Sequence, residues 1–329
     1  MKILVTGSSG HLGEALVRSL RSDGFDVAGL DVKPSEFTTE VGSITDANFV
    51  GQTVAGCDSI IHTATLHKPH IGTHTRQDFI DTNISGTLNL LEAAVESGCR
   101  SFIYTSTTST FGDAMKPESG EPAVWVTEAL QPKPKNIYGV TKAAAEDLSQ
   151  LFHRNTGLPC VVLKTSRFFP EQDDSKDQRD AFDDTNLKVN ELLHRRIDIA
   201  DIVAAHRLAV VHAEKIGFDK LILTATTPFS RDDAAELAID LPAVLSRYVP
   251  DYQEVYERRG WNMYRSIGRV YDNTRARTVL DWEPSYSFAK AVERLCRGED
   301  YRSVLAQQVG SKGYHSEIFR EGPYPVGNF

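Results

Sequence analysis

The chain has 329 residues, of which 40% are hydrophobic and 25% are charged, as in a soluble globular protein with a sizeable core. The net charge of −9 argues against nucleic acid as the main partner, and no apolar run approaches the ~20 residues of a membrane span. The four cysteines are scattered, with no pair at metal-binding spacing. We therefore expect buried, reduced thiols in a cytoplasmic protein without a metal. A catalytic cysteine is the alternative, although none has a local signature.

Short apolar runs alternate with amphipathic helical stretches along the first two thirds of the chain. The runs predict parallel β-strands covered on both faces, because they are rich in Val and Ile and lack strict alternation. The predicted strands are residues 2–5, 26–30, 59–62, 101–105, 160–164 and 220–224. The predicted helices between them are residues 12–22, 76–97, 138–155 and 201–213. This alternation predicts an α/β fold with a doubly wound parallel sheet and right-handed crossovers.

The alternation breaks after residue 163. The stretch 171–184 carries seven acids and is predicted to be a solvated loop, with a cation-binding site as the alternative. Helix and loop are predicted for 228–256, and a further helix for 288–297. We predict a first domain at 1–165, to which 198–226 returns. The remaining segments, 166–197 and 227–329, are predicted to form a smaller, discontinuous region.

A glycine-rich loop follows the first predicted strand and opens the first predicted helix. Gly7, Gly10 and Gly13 are spaced so that a pyrophosphate can approach the backbone amides at a helix N-terminus. A tight turn without a ligand is the alternative. Asp31 ends the second predicted strand, where a carboxylate binds ribose hydroxyls and repels a 2′-phosphate, which favours NAD over NADP. Lys33 weakens this discrimination, since it could meet a phosphate.

Tyr138 and Lys142 are four residues apart in a predicted helix and therefore share one face. An ammonium close to a phenol favours the phenolate, so we expect Lys142 to lower the pKa of Tyr138 from its usual value near ~10. Tyr138 would then serve as an acid/base near neutral pH. The alternative is that the two side chains simply form part of a solvated helical face. The glycine loop favours the catalytic interpretation, because it predicts a dinucleotide site in the same chain.

These motifs together resemble the extended short-chain dehydrogenase/reductase superfamily. Within it, the chain is similar to the NAD-dependent epimerase/dehydratase family, which includes UDP-glucose/galactose 4-epimerases. The likeness covers nearly the whole chain. It rests on residues 6–13, Asp31, 61–64, 83–87, 104–112, 138–142, 272–277 and 280–284. It implies a Rossmann-type NAD-binding domain, followed by a smaller substrate-binding region made of the discontinuous segments.

The resemblance implies four catalytic roles. Tyr138 would be the acid/base, and Lys142 would bind the nicotinamide ribose and lower the pKa of the tyrosine. Thr107 aligns with the family's catalytic Ser/Thr, counted back from the glycine at 112, and Ser106 is the alternative in this hydroxyl-rich run. Asn83 matches an asparagine that supports the active site, although a capping or helix-interior asparagine is equally compatible with the sequence.

The resemblance also implies two sets of binding residues. The expected NAD contacts are Gly7, Ser9, Gly10, His11, Leu12, Gly13, Asp31, Ser43, Ile44, Thr63, Ala64, Thr65, Asn83, Thr105, Tyr138 and Lys142. The expected substrate contacts are Thr107, Thr108, His67, Phe168, Arg196 and Arg269. Residues 167–171 depart from the Asn/Gly-Pro pattern of nucleotide-sugar enzymes. The acidic residues that follow would repel the negative charge of a diphosphate.

Three functions follow from the resemblance. The first is an NAD-dependent epimerase that acts on a sugar or sugar nucleotide by transient hydride transfer at a hydroxyl-bearing carbon. The second is an NAD-dependent dehydrogenase or reductase with net turnover of an alcohol or carbonyl substrate. The third is a non-catalytic NAD-binding regulatory protein, which would have no need for the tyrosine, lysine and hydroxyl residues together. Apolar stripes on the predicted helices 76–97 and 138–155 resemble the family's dimer interface, so we expect a homodimer.

Overall fold

A seven-stranded parallel sheet organises the first two thirds of the chain in the computed structural model, which describes residues 1–313. The strands are β1 (Lys2–Thr6), β2 (Asp26–Asp31), β3 (Glu40–Val41), β4 (Ser59–His62), β5 (Ser101–Thr107), β6 (Val124–Val126), β7 (Cys160–Thr165), β8 (Phe218–Leu223) and β9 (Arg269–Tyr271). The sheet order is β3-β2-β1-β4-β5-β7-β8, and β6 pairs with β9 in a separate parallel ribbon. The order reverses between β1 and β4, which leaves a crevice at their carboxyl ends.

Helices cover both faces of the sheet and build a second region beside it. They are α1 (His11–Ser22), α2 (Ala47–Val54), α3 (Arg76–Ile80), α4 (Gly86–Glu96), α5 (Ile137–Thr156), α6 (Lys176–Ala181), α7 (Asp184–Glu191), α8 (Ile199–Ile216), α9 (Ala234–Leu237), α10 (Leu241–Tyr248), α11 (Tyr252–Arg259), α12 (Thr274–Leu280), α13 (Phe288–Cys296) and α14 (Val304–Val309). Within residues 1–313, none of them is long and apolar enough to cross a bilayer.

The alternation of side chains along β1 shows how the two layers are filled. Ile3 and Val5 pack with residues of α1 and α8 on one face of the sheet. Leu4 points to the other face and packs with residues of α2, α4 and α5. Strands covered on both faces must be apolar throughout, which is why the strand sequences lack alternation. The predicted doubly wound parallel sheet is confirmed.

The predicted elements are found with small shifts at their ends. The predicted helix at 76–97 is divided into α3 and α4 by a π-helical turn, Asp81–Ser85. The sequence pattern does not predict β3, the β6–β9 ribbon or the helices α2, α6, α7, α12 and α14. The helices predicted at 228–256 and 288–297 are present as α9 to α11 and α13.

A second hydrophobic core lies beneath the helices of the C-terminal region. It joins α7, α10, α11 and α13, with aromatic contacts such as Tyr252 against Tyr256 at a centroid distance of 5.3 Å. Residues 314–329, part of the predicted second region, lie outside the described residues. Three of the four cysteines are buried as predicted, whereas Cys296 is exposed at the end of α13.

Candidate active site

A cleft of about 1540 Å³ opens at the crevice beside β1 and β4 and extends to the C-terminal region. Pockets for a single small ligand are typically ~300–1,000 Å³, so this cleft has room for a dinucleotide and a second molecule together. Its walls include the glycine loop, the end of β5, the start of α5 and residues after β7.

The glycine loop is shaped for close backbone approach. Gly7 has a φ of +74°, and a Cβ there would lie 2.8 Å from the amide nitrogen of Ala64. A Cβ on Gly13 would lie 1.9 Å from the carbonyl oxygen of Gly7, so only glycine permits this turn. Gly10 is the N-cap of α1 and offers no side chain to the first-turn amides, which suits an anionic pyrophosphate.

Asp31 lies at the end of β2, beside the glycine loop. Its carboxylate accepts hydrogen bonds from the amides of Ser9, at 3.0 Å, and Lys33, at 2.9 Å. These bonds fix the carboxylate at the rim of the cleft, where ribose hydroxyls can donate to it. The glycine loop and Asp31 together fit a dinucleotide without a 2′-phosphate.

The cleft brings together nearly all of the predicted site residues. The cofactor set lines it with one exception, Asn83, and the substrate set lines it with one exception, Arg196. Asn83 lies behind the wall, in the π-helical turn. Its carboxamide accepts from the Thr65 hydroxyl and the Leu66 amide, both at 2.8 Å, and donates to the Thr141 hydroxyl at 3.0 Å. Asn83 therefore holds the cleft wall against α5.

Tyr138 and Thr107 meet where α5 begins and β5 ends. Asn136 caps α5 by accepting a hydrogen bond from the Gly139 amide at 3.1 Å, which sets the position of the first turn and of Tyr138. The Thr107 side chain is hydrogen-bonded to the Tyr138 phenol. The alternative, Ser106, faces the other way and donates to the buried Glu146 carboxylate. Alternation along β5 therefore directs the Thr107 hydroxyl, and not that of Ser106, towards Tyr138.

The expected lowering of the Tyr138 pKa is wrong for this structure. Burial raises the pKa of Tyr138 to about 12, although the hydrogen bond with Thr107 opposes the change. Burial also lowers the pKa of Lys142 to about 7, against the opposing effect of Glu146. The Lys142 ammonium donates to the Thr105 carbonyl at 2.7 Å and lies 4.2 Å from the ring centroid of Tyr104. Desolvation is therefore the largest cause of both changes, and Lys142 is not among the groups that shift the pKa of Tyr138.

A buried ion pair joins α5 to the sheet. The Lys164 ammonium, on β7, lies 2.6 and 2.9 Å from the two carboxylate oxygens of Glu146, on α5. It also donates to the Thr110 hydroxyl at 2.6 Å. Glu146 is one helical turn after Lys142, so the pair connects α5 to β7 next to Lys142. The sequence pattern does not predict this pair.

The predicted substrate contacts next to the glycine loop are aromatic. The Phe168 ring stacks on the His11 ring, with a centroid distance of 5.8 Å and an interplanar angle of 8°. The His67 ring centroid lies 6.1 Å from that of Tyr138. Burial lowers the pKa of His67 to about 3, so this imidazole is neutral beside the phenol. Thr108 lines the cleft and donates to the Thr165 carbonyl at 3.4 Å.

The acidic stretch is not the solvated loop that its composition predicts. Asp173 is buried and forms an ion pair with Arg167, which also binds Asp174 at 3.1 Å and Glu191 at 2.7 Å. This packing makes the stretch part of the cleft wall. Asp173 and Asp174 are neighbours in the stretch, whereas Glu191 comes from α7, and the meeting of the two segments at one guanidinium has no local sequence signal.

Arg196 does not reach the cleft. Its guanidinium donates to Glu191 at 2.8 Å and to the Phe169 carbonyl at 3.1 Å, and it lines a separate cavity of about 440 Å³. The prediction that Arg196 contacts substrate is therefore wrong for this structure. Its guanidinium stabilises the buried Glu191 carboxylate, whose pKa the neighbouring arginines hold well below its usual range despite burial.

Comparison with known proteins decides the family. Residues 3–217 match the sequence model of the NAD dependent epimerase/dehydratase family. The chain belongs to this family. NAD is its cofactor.

Epimerases and dehydrogenases are both among the proteins with similar sequences. A UDP-glucose 4-epimerase from Lactobacillus helveticus is 24% identical over 87% of this chain and 93% of its own length. A 3-beta-hydroxysteroid dehydrogenase from Mycolicibacterium neoaurum is 32% identical, but over 44% of this chain and only 41% of its own length.

Solved structures share the fold. A short-chain dehydrogenase/reductase superfamily protein from Agrobacterium tumefaciens, with bound NAD, aligns with a TM-score of 0.66 and 23% identity. The alignment covers 94% of this chain and 99% of that one.

Proposed function

We propose that this protein is an NAD-dependent epimerase that acts on a sugar or sugar nucleotide at a hydroxyl-bearing carbon, with Tyr138 as the acid/base. The observation that carries the proposal is the Tyr138 phenol, hydrogen-bonded to Thr107, in the same cleft as the glycine loop. A phenol and a hydroxyl placed together can bind one substrate oxygen and move its proton. The near full-length likeness to a UDP-glucose 4-epimerase supports the proposal.

Tyr138 and Thr107 have different roles in the proposed proton transfer. When bound, NAD supplies the acceptor and donor of hydride. Tyr138 removes the proton from the substrate hydroxyl and returns it later, while Thr107 orients the substrate oxygen. Since burial raises the pKa of Tyr138 to about 12, the phenol holds its proton at neutral pH and requires a nearby positive charge to release it. Lys142, one turn along the same face of α5, supplies part of that charge in its protonated form, which its pKa of about 7 leaves partly populated at neutral pH.

A dehydrogenase with net turnover is the second candidate. The same proton-transfer pair serves both reactions, because they differ only in whether the oxidised intermediate is reduced again before release. The 32% identity with a 3-beta-hydroxysteroid dehydrogenase, over 155 residues, supports this alternative. A non-catalytic NAD-binding protein is disfavoured, since Tyr138, Lys142 and Thr107 all line the cleft.

A substrate panel separates the three functions. The enzyme is incubated with NAD and with UDP-glucose, UDP-galactose, free sugars and sugar acids, while NADH absorbance and product stereochemistry are followed together. An epimer without accumulating NADH supports the epimerase, and NADH with an oxidised product supports the dehydrogenase. Absence of both products with every compound, from protein shown to bind NAD, contradicts the proposal.

We also propose a homodimer formed through α4 and α5, in a cytoplasmic protein. Val140 and Leu151 on α5 are 49% and 39% exposed, and their spacing places them on one face of the helix. Val95, at the end of α4, is 38% exposed. Light scattering should give the mass of two chains, and Leu151→Asp should give one. A monomeric wild-type protein would contradict this proposal.

Within the chain, we propose that 1–165 and 198–226 bind NAD and that 166–197 and 227–329 bind substrate. Residues 314–329 of the latter lie outside the described residues.

A further inference from the structure

Several polar atoms in the cleft wall are buried without a hydrogen-bond partner in the described part of the chain. They include Ser166 Oγ, His194 Nδ1, Arg195 Nε and Arg269 Nε, and also both ring nitrogens of His11, Glu171 Oε2 and the Tyr264 hydroxyl. All of these residues line the cleft. Buried polar atoms in folded proteins nearly always have partners, because leaving one unpaired is destabilising. A group of them in one wall therefore indicates a polar ligand that supplies the missing hydrogen bonds.

The charges around these atoms are almost fully compensated. Glu191 accepts from Arg167 at 2.7 Å and from Arg195 at 2.8 Å, and Asp174 pairs with both Arg167 and Lys68. Each of these cations is already committed to a carboxylate of the protein.

Arg269 differs from the other two arginines that line the cleft. Within residues 1–313 it forms no ion pair, and its guanidinium lies 5.8 Å from the ring centroid of Tyr271. The cleft therefore offers one arginine whose charge is available to a ligand.

One of the unpartnered groups, the Ser166 hydroxyl, belongs to the residue that follows the strand end beside Thr107. Thr107 and Thr165 are register partners on β5 and β7, about 4.8 Å apart, and Ser166 follows directly. His194 accepts a backbone hydrogen bond from Tyr271 at 3.1 Å, two residues after Arg269. The cleft wall therefore contains the Thr107 hydroxyl, the Ser166 hydroxyl and the His194 imidazole. It also contains the Arg269 guanidinium, which has no carboxylate partner in the described residues.

His194 contributes hydrogen bonding but no charge. Burial, followed by the nearby Arg195 and Arg269, lowers the pKa of His194 well below its usual value. The neutral imidazole can donate to or accept from a hydroxyl group. An uncharged imidazole and a serine hydroxyl suit the hydroxyls of a sugar better than they suit an anion.

We propose that the substrate is a sugar acid, a compact polyhydroxylated monocarboxylate, rather than a sugar nucleotide. Arg269 binds its carboxylate, and Ser166 and His194 bind its hydroxyls. A carboxylate matches one free guanidinium in charge and in its planar, two-oxygen geometry. A nucleotide diphosphate brings about two negative charges to a wall that contains Asp173 and Asp174 and has one free arginine. This inference rests on the proposed function, because it names the substrate of the same Tyr138 site.

Binding to an inactive variant tests the inference without relying on turnover. Tyr138→Phe, saturated with NAD, is titrated calorimetrically with glucuronate, galacturonate and gluconate, with the neutral hexoses, and with UDP-glucose. We expect at least one acid to bind at least tenfold more tightly than its neutral sugar, and UDP-glucose to bind no more tightly than the neutral sugars.

Arg269 variants identify the charge that is responsible. Adding Arg269→Met should weaken binding of the acid by about 10- to 100-fold, the loss expected for a charge-assisted hydrogen bond, while binding of the neutral sugar changes little. Arg269→Lys should retain part of the preference for the acid. The matched control is Arg265→Met, which removes an exposed arginine outside the cleft lining and should leave binding within twofold. Unchanged NAD binding in each variant shows that the fold is intact.

The outcomes separate this inference from the proposed function. Tighter binding of UDP-glucose than of any acid, no preference of any acid over its neutral sugar, or no effect of Arg269→Met would overturn the sugar-acid assignment. If UDP-glucose is also turned over in a Tyr138-dependent manner, the proposed function survives that failure. If an acid binds through Arg269 but the Tyr138→Phe enzyme turns it over as fast as wild type, the proposed function fails instead.

Discussion

Replacing Lys164 with methionine should strongly destabilise the protein. The Lys164 ammonium and the Glu146 carboxylate are both buried, with bonds of 2.6 and 2.9 Å between them. In Lys164→Met, the carboxylate keeps the Ser106 hydroxyl and a Lys220 ammonium 3.4 Å away, and little else that compensates a buried charge. Removing one partner of a buried pair typically costs ~3–5 kcal/mol, because the other charge is left unpaired.

That free energy can be converted into a melting temperature. An unfolding entropy of about 2.1 cal/mol/K per residue gives roughly 0.7 kcal/mol/K for this chain, so Lys164→Met should lower the melting temperature by about 4–7 °C. The companion variant, Lys164→Met with Glu146→Leu, removes both charges and should recover most of the loss.

The free energy of unfolding of both variants is measured by urea denaturation, with circular dichroism as the signal and one protein concentration throughout. The matched control is Lys176→Met, which breaks an ion pair with Asp180 on the surface and should leave the midpoint unchanged. A loss below about 1 kcal/mol in Lys164→Met would refute the reasoning, since a buried carboxylate would then tolerate isolation. Failure of the double variant to recover stability would also refute it.

Three further predictions concern the cofactor half of the cleft. Gly13→Ala should abolish NAD binding, because its Cβ would lie 1.9 Å from the Gly7 carbonyl oxygen; titration of the variant with NADH by fluorescence tests this, and wild-type affinity would contradict it. Asp31→Ala should relax the preference for NAD over NADP, measured as the ratio of the two dissociation constants, and a wild-type enzyme that already prefers NADP would oppose the argument. Lys142 has a pKa of about 7 in the folded protein and ~10.4 in an unfolded chain, so between these values the unfolded chain binds more protons. The free energy of unfolding of wild type relative to Lys142→Met should therefore rise from pH 7 to ~10, and a flat difference would contradict the burial of Lys142.

The features that the sequence predicts well are local. Gly7, Gly10 and Gly13 lie in one turn, and Tyr138 and Lys142 lie one helical turn apart, so spacing alone places them. The central strands are also predictable from the sequence, because burial on both faces requires continuous apolar runs.

The features that the sequence does not predict depend on distant segments or on solvent. Val124 pairs with Arg269, far along the chain, in a ribbon too short to carry a pattern of its own. Arg167 and Glu191 meet only in the folded protein, which converts an acidic stretch into a cleft wall. The pKa of Tyr138 was predicted in the wrong direction because a pairwise argument omits desolvation.

The central claim is that Tyr138 transfers the proton in an NAD-dependent reaction. The most direct measurement compares kcat/KM of wild type and Tyr138→Phe on a substrate that the wild type turns over, together with the dissociation constant for NAD. We predict a loss of kcat/KM of about 10²- to 10⁴-fold, the usual contribution of a general acid/base, with NAD affinity within about threefold of wild type. Turnover by Tyr138→Phe at a rate close to that of wild type would contradict the claim.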